Sequence, residues 1–347
     1  MAYDLTNAAT LTGFINKNLP LKPWIFRKFF PVELHDTAQI AIDIVKGSRR
    51  LAPFRRRGEE STVKKSIGVE TKLFGPNQIS IKNLTKAFDA EKRAPGDQFS
   101  YSDDIKTLEG RIAFKILQEQ IDITNQIYAT IEKMCSDALF TGVVANYDAA
   151  GNIIEEFDIG IPDDHVITLT GTDKWDTPAE TSTAKVLENI DDYCALGEDD
   201  SSLPMTDVIL GKKAKNALRT NKIVLEQLKA NHASFAMIDP QKKEEGIQFV
   251  GYTSSGVRLW HVTESYENTA GQKASMIPDD KIVCLSEKMA SHVHFGMIED
   301  LKAGSFVGEI FSKIWDEEDP SGRWLKCAAA PLAYVEQPEA IVVAKVV

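Results

Sequence analysis

A chain of 347 residues has room for two domains or for one domain with a large insertion. Hydrophobic residues at 43% and charged residues at 26% fit a soluble globular protein. No apolar run nears the ~20 residues of a membrane span, and the polar stretch Met1 to Asn18 is not built like a signal peptide. A net charge of −11 argues against nucleic-acid binding over the whole surface, because phosphate contacts need clustered Lys and Arg.

Residues 1–36 carry few core signals beyond an aromatic knot, Trp24, Ile25, Phe26, Phe29 and Phe30. So short a segment cannot bury those rings alone and must lie along something else. Residues 38–45 put Ile40, Ile42 and Ile44 on one face, which predicts a strand. A basic stretch follows. From Lys46 to Pro76, nine basic residues, among them Arg49, Arg50, Arg55, Arg56, Arg57, Lys64 and Lys65, stand against three acids. That is +6 inside a chain of −11, which leaves −17 for the rest. A positive arm on a negative body suits a chain that binds copies of itself, through intersubunit salt bridges rather than nucleic acid. Val69 to Leu84, with Ile79 and Ile81 alternating and Gly75-Pro76-Asn77 as a turn, completes a predicted two-stranded excursion over residues 46–92. A lone hairpin is marginal in water, so the excursion should rest on another subunit.

Between Ile105 and Leu139 there is no Pro and a single Gly. Ile105, Leu108, Ile112, Ile116, Ile123, Ile127, Ile131, Met134 and Ala138 fall three, four or seven apart, one apolar stripe of a very long helix. Ser102, Asp103 and Asp104 supply its N-terminal acceptors and Gly142 its stop. A rod of this length is a scaffold, which points to shape and contact rather than chemistry. Tyr147 to Asn152 is a turn between two short strands, and Trp175 to Thr183 a polar loop. A helix over Ala184 to Leu196 precedes an acidic break at Gly197 to Pro204. Asp207 to Gly211 reads as a strand, and Lys212 to Arg219 and Ile223 to Ala230 as helices. Ile247 to Val250 and Val257 to Val262 read as a hairpin, and Lys281 to Leu285 as a strand. From Leu325 the pattern is strand-like, broken by Pro331 and Pro338. The predicted class is α+β.

No phosphate-binding glycine loop, H-E-x-x-H or nucleophile elbow is present. Cys135, Cys194, Cys284 and Cys327 are too widely spaced for a zinc knuckle and read as reduced thiols. His292 and His294, beside Glu287 and Glu299, share one face of a strand. They are either a metal-ligand pair or two surface or interface histidines. The acidic turn Asp316 to Gly322 lacks the alternation of a calcium loop, and Asp163-Asp164 and Asp199-Asp200 likewise read as solvated turns. Ser254 has no positioned base. No catalytic residue, cofactor or metal is assigned.

In order, these parts resemble the major capsid proteins of tailed bacteriophages, in particular the phage lambda major head protein family. The residues that carry the resemblance are Phe26-Arg27-Lys28-Phe29-Phe30, the segment Gly151 to Thr168, Met276 to Val283, and Ala328-Ala329-Ala330-Pro331-Leu332 through Val347. The resemblance implies the Hong Kong 97-type coat-protein fold shared by tailed phages and herpesviruses. It implies an N-terminal arm over 1–36, a peripheral-domain strand over 37–45 and an extended basic loop over 46–92 that reaches over a neighbour. A peripheral domain over 93–183 would hold the spine helix 105–140, an axial domain would span 184–325, and residues 326–347 would return as a C-terminal strand. The arm would pack through Trp24, Phe26, Phe29 and Phe30, and the loop would contact neighbours through the seven Arg and Lys residues from Arg49 to Lys65 named above. The implied function is structural: hexamers and pentamers of an icosahedral head enclosing double-stranded DNA, in a virion assembled in the host bacterial cytoplasm. Implied partners are further copies of the chain, a separate scaffolding protein, the portal, a decoration protein and non-specifically packaged DNA, with no membrane. The rival readings are an encapsulin-like nanocompartment shell and a soluble α+β enzyme.

Overall fold

The computed structural model describes residues 23–44, 70–86, 108–148, 150–177, 184–221, 224, 246–253, 255–268, 271–301, 304–319 and 321–347. A short helix, α1 (Trp24–Phe29), is followed by strands β1 (Val32–Leu34) and β2 (Ile40–Ile44). Ile40 and Ile42 are buried and Ala41 is exposed, as the period-two pattern requires. Strand β3 (Glu70–Phe74) pairs antiparallel with β2, Ile40 opposite Phe74 and Ile44 opposite Glu70. Strand β4 (Ile79–Lys86) does not fold back on β3. It pairs with a C-terminal strand, so the hairpin expected over 46–92 divides at Gly75-Pro76-Asn77. The apolar Ile79 and Ile81 explain this, because they pack on the main core, a far larger apolar partner than a lone ribbon offers.

The long helix, α2 (Leu108–Phe140), has 33 described residues and runs about 50 Å. Ile116, Ile123, Ile127, Ile131, Met134 and Ala138 of the predicted stripe are all buried. Gly142 follows at φ +70°, a backbone conformation that suits glycine and ends the helix. Lys281 Nζ donates to the Phe140 carbonyl at 3.2 Å, a cation at the negative helix end. The expected N-terminal acceptors, Ser102 to Asp104, and the start at Ile105 lie outside the described residues. The hairpin β5 (Val143–Tyr147) and β6 (Ile153–Asp158) turns on Asp148, whose Oδ1 accepts from the Ala150 and Asn152 N–H groups.

The rest of the chain runs β7 (Val166–Thr168), α3 (Val186–Ser201), β8 (Asp207–Leu210), α4 (Lys212–Thr220), β9 (Ile247–Tyr252) and β10 (Arg258–Val262). Then come β11 (Ser265–Glu267), β12 (Lys273–Ser275), β13 (Lys281–Leu285), β14 (Ser291–Phe295), β15 (Ile298–Asp300) and β16 (Gly304–Phe306). The chain closes with β17 (Phe311–Glu317), β18 (Gly322–Ala329), β19 (Pro331–Val335) and β20 (Ile341–Lys345). A mixed six-stranded sheet, in the order β7-β20-β13-β8-β10-β9, is a wall between two apolar cores. Val283 and Leu285 of β13, Ile341 and Val343 of β20 and Ile209 of β8 join the core of α1 and α2. Their neighbours Ile282, Cys284, Val342, Ala344, Val208 and Leu210 join the core of α3 and α4. Two buried faces explain why these strands read as continuous apolar runs rather than alternating ones. Two three-stranded sheets, β1-β14-β19 and β17-β18-β4, complete the body around α2. β18 runs through residue 325, and β20 lies between β7 and β13.

Three local expectations change. Helix α3 continues through the acidic stretch to Ser201, where Ser202 turns left-handed at φ 59°. Asp199 and Asp200 are therefore helical, and Asp200 Oδ2 lies 2.9 Å from Nε2 of the buried His165. Trp175, expected in a polar loop, is buried in the second core, with its backbone N–H donating to the Val346 carbonyl. Gly211 is required by contact: a Cβ there would lie 2.3 Å from the Pro278 carbonyl oxygen, where the Met276 to Val283 segment crosses the start of α4. Helix Ile223 to Ala230, apart from Val224, and Ser254 lie outside the described residues.

Candidate functional site: the docked arm and the outward ribbons

Helix α1 begins at Pro23 and has no side-chain cap of its own. Its cap comes from 106 and 107 residues away. Glu132 on α2 accepts the Ile25 N–H on Oε1 and the Phe26 N–H on Oε2, both at 2.8 Å. Burial raises the Glu132 carboxyl to about 7, although the backbone N–H groups of α1 pull the other way. Glu132 belongs to a polar row along α2: Gln120, Thr124, Tyr128, Glu132 and Ser136 fall four apart and all are buried. Gln120 Nε2 donates to Ser312 Oγ at 3.4 Å, Tyr128 Oη to Glu309 Oε2 at 2.8 Å, and Ser136 Oγ to the Met276 carbonyl at 2.8 Å. The long helix thus carries, beside its apolar stripe, a line of hydrogen-bonding groups that fixes distant segments in register.

The arm fills the space this row defines. Ile25, Phe26, Phe29 and Phe30 are buried and Trp24 is half-buried. Phe26 stacks on Tyr128, and Arg27 lies over both rings while its Nη2 reaches Glu309 Oε2 at 3.2 Å. Lys28 Nζ sits over the rings of Trp24, Phe29 and Trp260 and donates to Asp207 Oδ1 at 2.7 Å. Asp207 is fully buried and also accepts from Trp260 Nε1, Thr206 Oγ1 and Arg258 Nη2. Burial alone would raise its carboxyl; the donors led by Lys28 outweigh that and hold it below the usual range. Ser291 Oγ donates to the Phe29 carbonyl at 2.6 Å. Trp24, Phe26, Phe29 and Phe30, the four arm residues singled out in the sequence, pack against other parts of the same chain. Glu132, Tyr128, Asp207 and Glu309, which hold the arm, were not singled out. The four-residue spacing of polar groups along α2 was the one signal that could have found two of them.

Two ribbons leave large apolar side chains exposed. β5 and β6 expose Tyr147, Ile153 and Ile154 at 58%, 53% and 59%, and only Phe157 of β6 is buried. The β2–β3 ribbon is anchored by Ile40, Ile42 and Phe74, which meets Phe157 and Tyr334, but leaves Leu73 at 71%. Arg49, Arg50, Arg55, Arg56, Arg57, Lys64 and Lys65 fall between β2 and β3 and lie outside the described residues.

The histidines take other partners than the sequence offered. Glu287 pairs with Arg258, and Glu299 lies on β15. Parallel pairing of β1 with β14 sets Glu33 opposite His294, and His35 Nε2 lies 3.0 Å from His294 Nδ1. His292 Nδ1 lies 2.7 Å from Glu336 Oε1. His294 is buried, not a surface residue, and burial with His35 and His292 beside it lowers its imidazole to about 4.

An arm laid along a spine helix, a layered body and ribbons with outward apolar faces define a structural subunit of the Hong Kong 97-type coat fold. The chain belongs to the phage major capsid protein E family, whose model matches residues 7–346. It is therefore a structural capsid component of a virion and not an enzyme. No curated protein matches it in sequence. A solved structure assigned as a prophage capsid protein of E. coli CFT073 is 17% identical, with a TM-score of 0.69 over 98% of this chain and 99% of that one. A phage-related protein of Bordetella bronchiseptica RB50 is 13% identical, with a TM-score of 0.59 over 97% and 96%. The capsid of the cyanophage P-SCSP1u is 10% identical, with a TM-score of 0.50 over 92% and 87%. At these identities the structures share the fold. Among the described residues, no helix is long and apolar enough to cross a membrane.

Proposed function

We propose that copies of this chain form the hexamers and pentamers of an icosahedral head that encloses double-stranded DNA. The observation that carries the proposal is the ribbon β5–β6, whose Tyr147, Ile153 and Ile154 are exposed among the described residues. The basic stretch between β2 and β3 reaches over an adjacent copy and meets its acidic surface, a heterologous contact that closes into rings. Residues 184–325 point to the capsomer centre, as the axial domain. Assembly takes place in the bacterial cytoplasm with a scaffolding protein and a portal; a decoration protein and non-specific contact with packaged DNA complete the partners. Negative-stain electron microscopy and size exclusion, with and without the scaffold, test this reading. Rings or closed shells are expected, and a lone monomer in every condition would overturn it. Replacing Arg55, Arg56 and Arg57 with Glu should leave a folded subunit that no longer forms shells; normal particles would refute the role given to the loop.

A further inference from the structure

We propose that Glu33, His292, His294 and Glu336 bind one divalent transition-metal ion of the zinc class, which pins strand β1 of the arm to the β14–β19 sheet. One donor atom from each of the four lies within 4.8 Å of the others. Tetrahedral ligands about 2.1 Å from zinc stand roughly 3.4 Å apart, so only modest side-chain closure is needed. The topology places them. His292 and His294 share a face of β14 by the two-residue period, β1 sets Glu33 in register with His294, and Glu336 follows the end of β19.

The hydrogen bonding suits a cation at this position. His294 is 2% exposed, and its Nε2 has no hydrogen-bond partner. That nitrogen faces Glu336 Oε1 at 3.6 Å, while Nδ1 is engaged by His35 Nε2 at 3.0 Å and by Glu33 Oε2 at 3.3 Å. When Nδ1 carries the hydrogen toward His35, Nε2 presents a bare lone pair to a carboxylate. A cation between Nε2 and Oε1 accepts from both and turns that repulsion into two bonds. His35 then takes the outer position usual for a metal-bound imidazole, fixing the tautomer of His294 through Nδ1–H. Two imidazoles with two carboxylates favour zinc, cobalt or nickel over calcium or magnesium, which prefer all-oxygen sites. The Glu33 side chain is half exposed, which gives the ion a way in. The site lies within one chain and is independent of the shell reading.

Titration of the full chain with Co2+ and then Zn2+ tests the site. The expected result is one Co2+ per chain with intense tetrahedral absorption, displaced by Zn2+ and unaffected by Mg2+. His292→Gln or Glu336→Gln should weaken binding by about 100-fold or more, beyond the ~10–100-fold expected for the outer residue in His35→Gln. Glu33→Gln, at the exposed side of the site, serves where a more buried change lowers the yield of folded protein. Asp200→Asn, beside the separate His165, should leave binding unchanged. Hydrogen exchange at the His35 amide, which donates to the Phe295 carbonyl, should slow when Zn2+ is bound. Absence of stoichiometric binding, or binding as tight as in the unaltered chain in both His292→Gln and Glu33→Gln, would overturn the proposal.

Discussion

The arm and the β5–β6 ribbon are both short segments that could not fold alone, yet they use their apolar residues in opposite ways. The arm turns Phe26, Phe29 and Phe30 inward, and its charges Arg27 and Lys28 find carboxylates on the body. The ribbon buries Phe157 alone on β6 and leaves Tyr147, Ile153 and Ile154 in water. The first segment is completed within its own chain and contributes to subunit stability. The second has apolar area that the described residues leave exposed, which suits contact with another molecule. A coat subunit needs both: parts that settle on folding and parts that settle on assembly.

Changes at the arm should be felt by the isolated subunit. Phe26→Ala opens a cavity against Tyr128 and should cost about 3–5 kcal/mol in urea unfolding. Asp207→Ala leaves Lys28 and Arg258 facing a vacated buried position and should cost about 3 kcal/mol, with Lys28→Met restoring part of the loss. Glu132→Gln should cost about 1–2 kcal/mol near neutral pH, because one of two acceptors becomes a donor facing an N–H group. Its pH signature is more specific. A carboxyl raised to about 7 when folded holds a proton that the unfolded chain, at its ordinary value near 4.5, has released. Stability should therefore fall as pH rises from about 4.5 to 7, and this slope should be lost in Glu132→Gln. At the ribbon the order reverses. Ile153→Ser with Ile154→Ser should change subunit unfolding by less than about 0.5 kcal/mol, since both side chains are exposed. The same pair should reduce the yield of rings or shells by size exclusion; unchanged assembly would show that the ribbon is not an interface.

Much of the fold was legible because its signals are local. The α2 stripe, the alternation in Ile40 and Ile42 and the Asp148 turn each depend on residues within one or two turns of chain. The strand at Lys281 to Leu285 stood out as a continuous apolar run, though that both its faces are buried was not visible. Errors arose where the partner is distant. The sequence placed β3 and β4 in one hairpin because they are adjacent, but β4 pairs with β18, Ile79 opposite Ala329. Helix α3 ran past its acidic break because Ser201 is buried and its Oγ bonds to the Gly197 carbonyl, a contact that composition does not announce.

The sequence by itself determined the long helix, the strands at Ile40 to Ile44 and Lys281 to Leu285, the Asp148 turn, the family resemblance and the aromatic content of the arm, since periodicity and turn chemistry act over a few residues. Only the tertiary structure decided what the arm packs on, which carboxylates hold it, and that Glu33 and His35 stand beside His294 rather than Glu287 or Glu299. The physical reason is sequence distance. Glu132 caps a helix more than a hundred residues away, and Glu33 meets His294 across a parallel strand pair. No local pattern encodes such a partner, because the pairing depends on the whole set of buried faces settling at once.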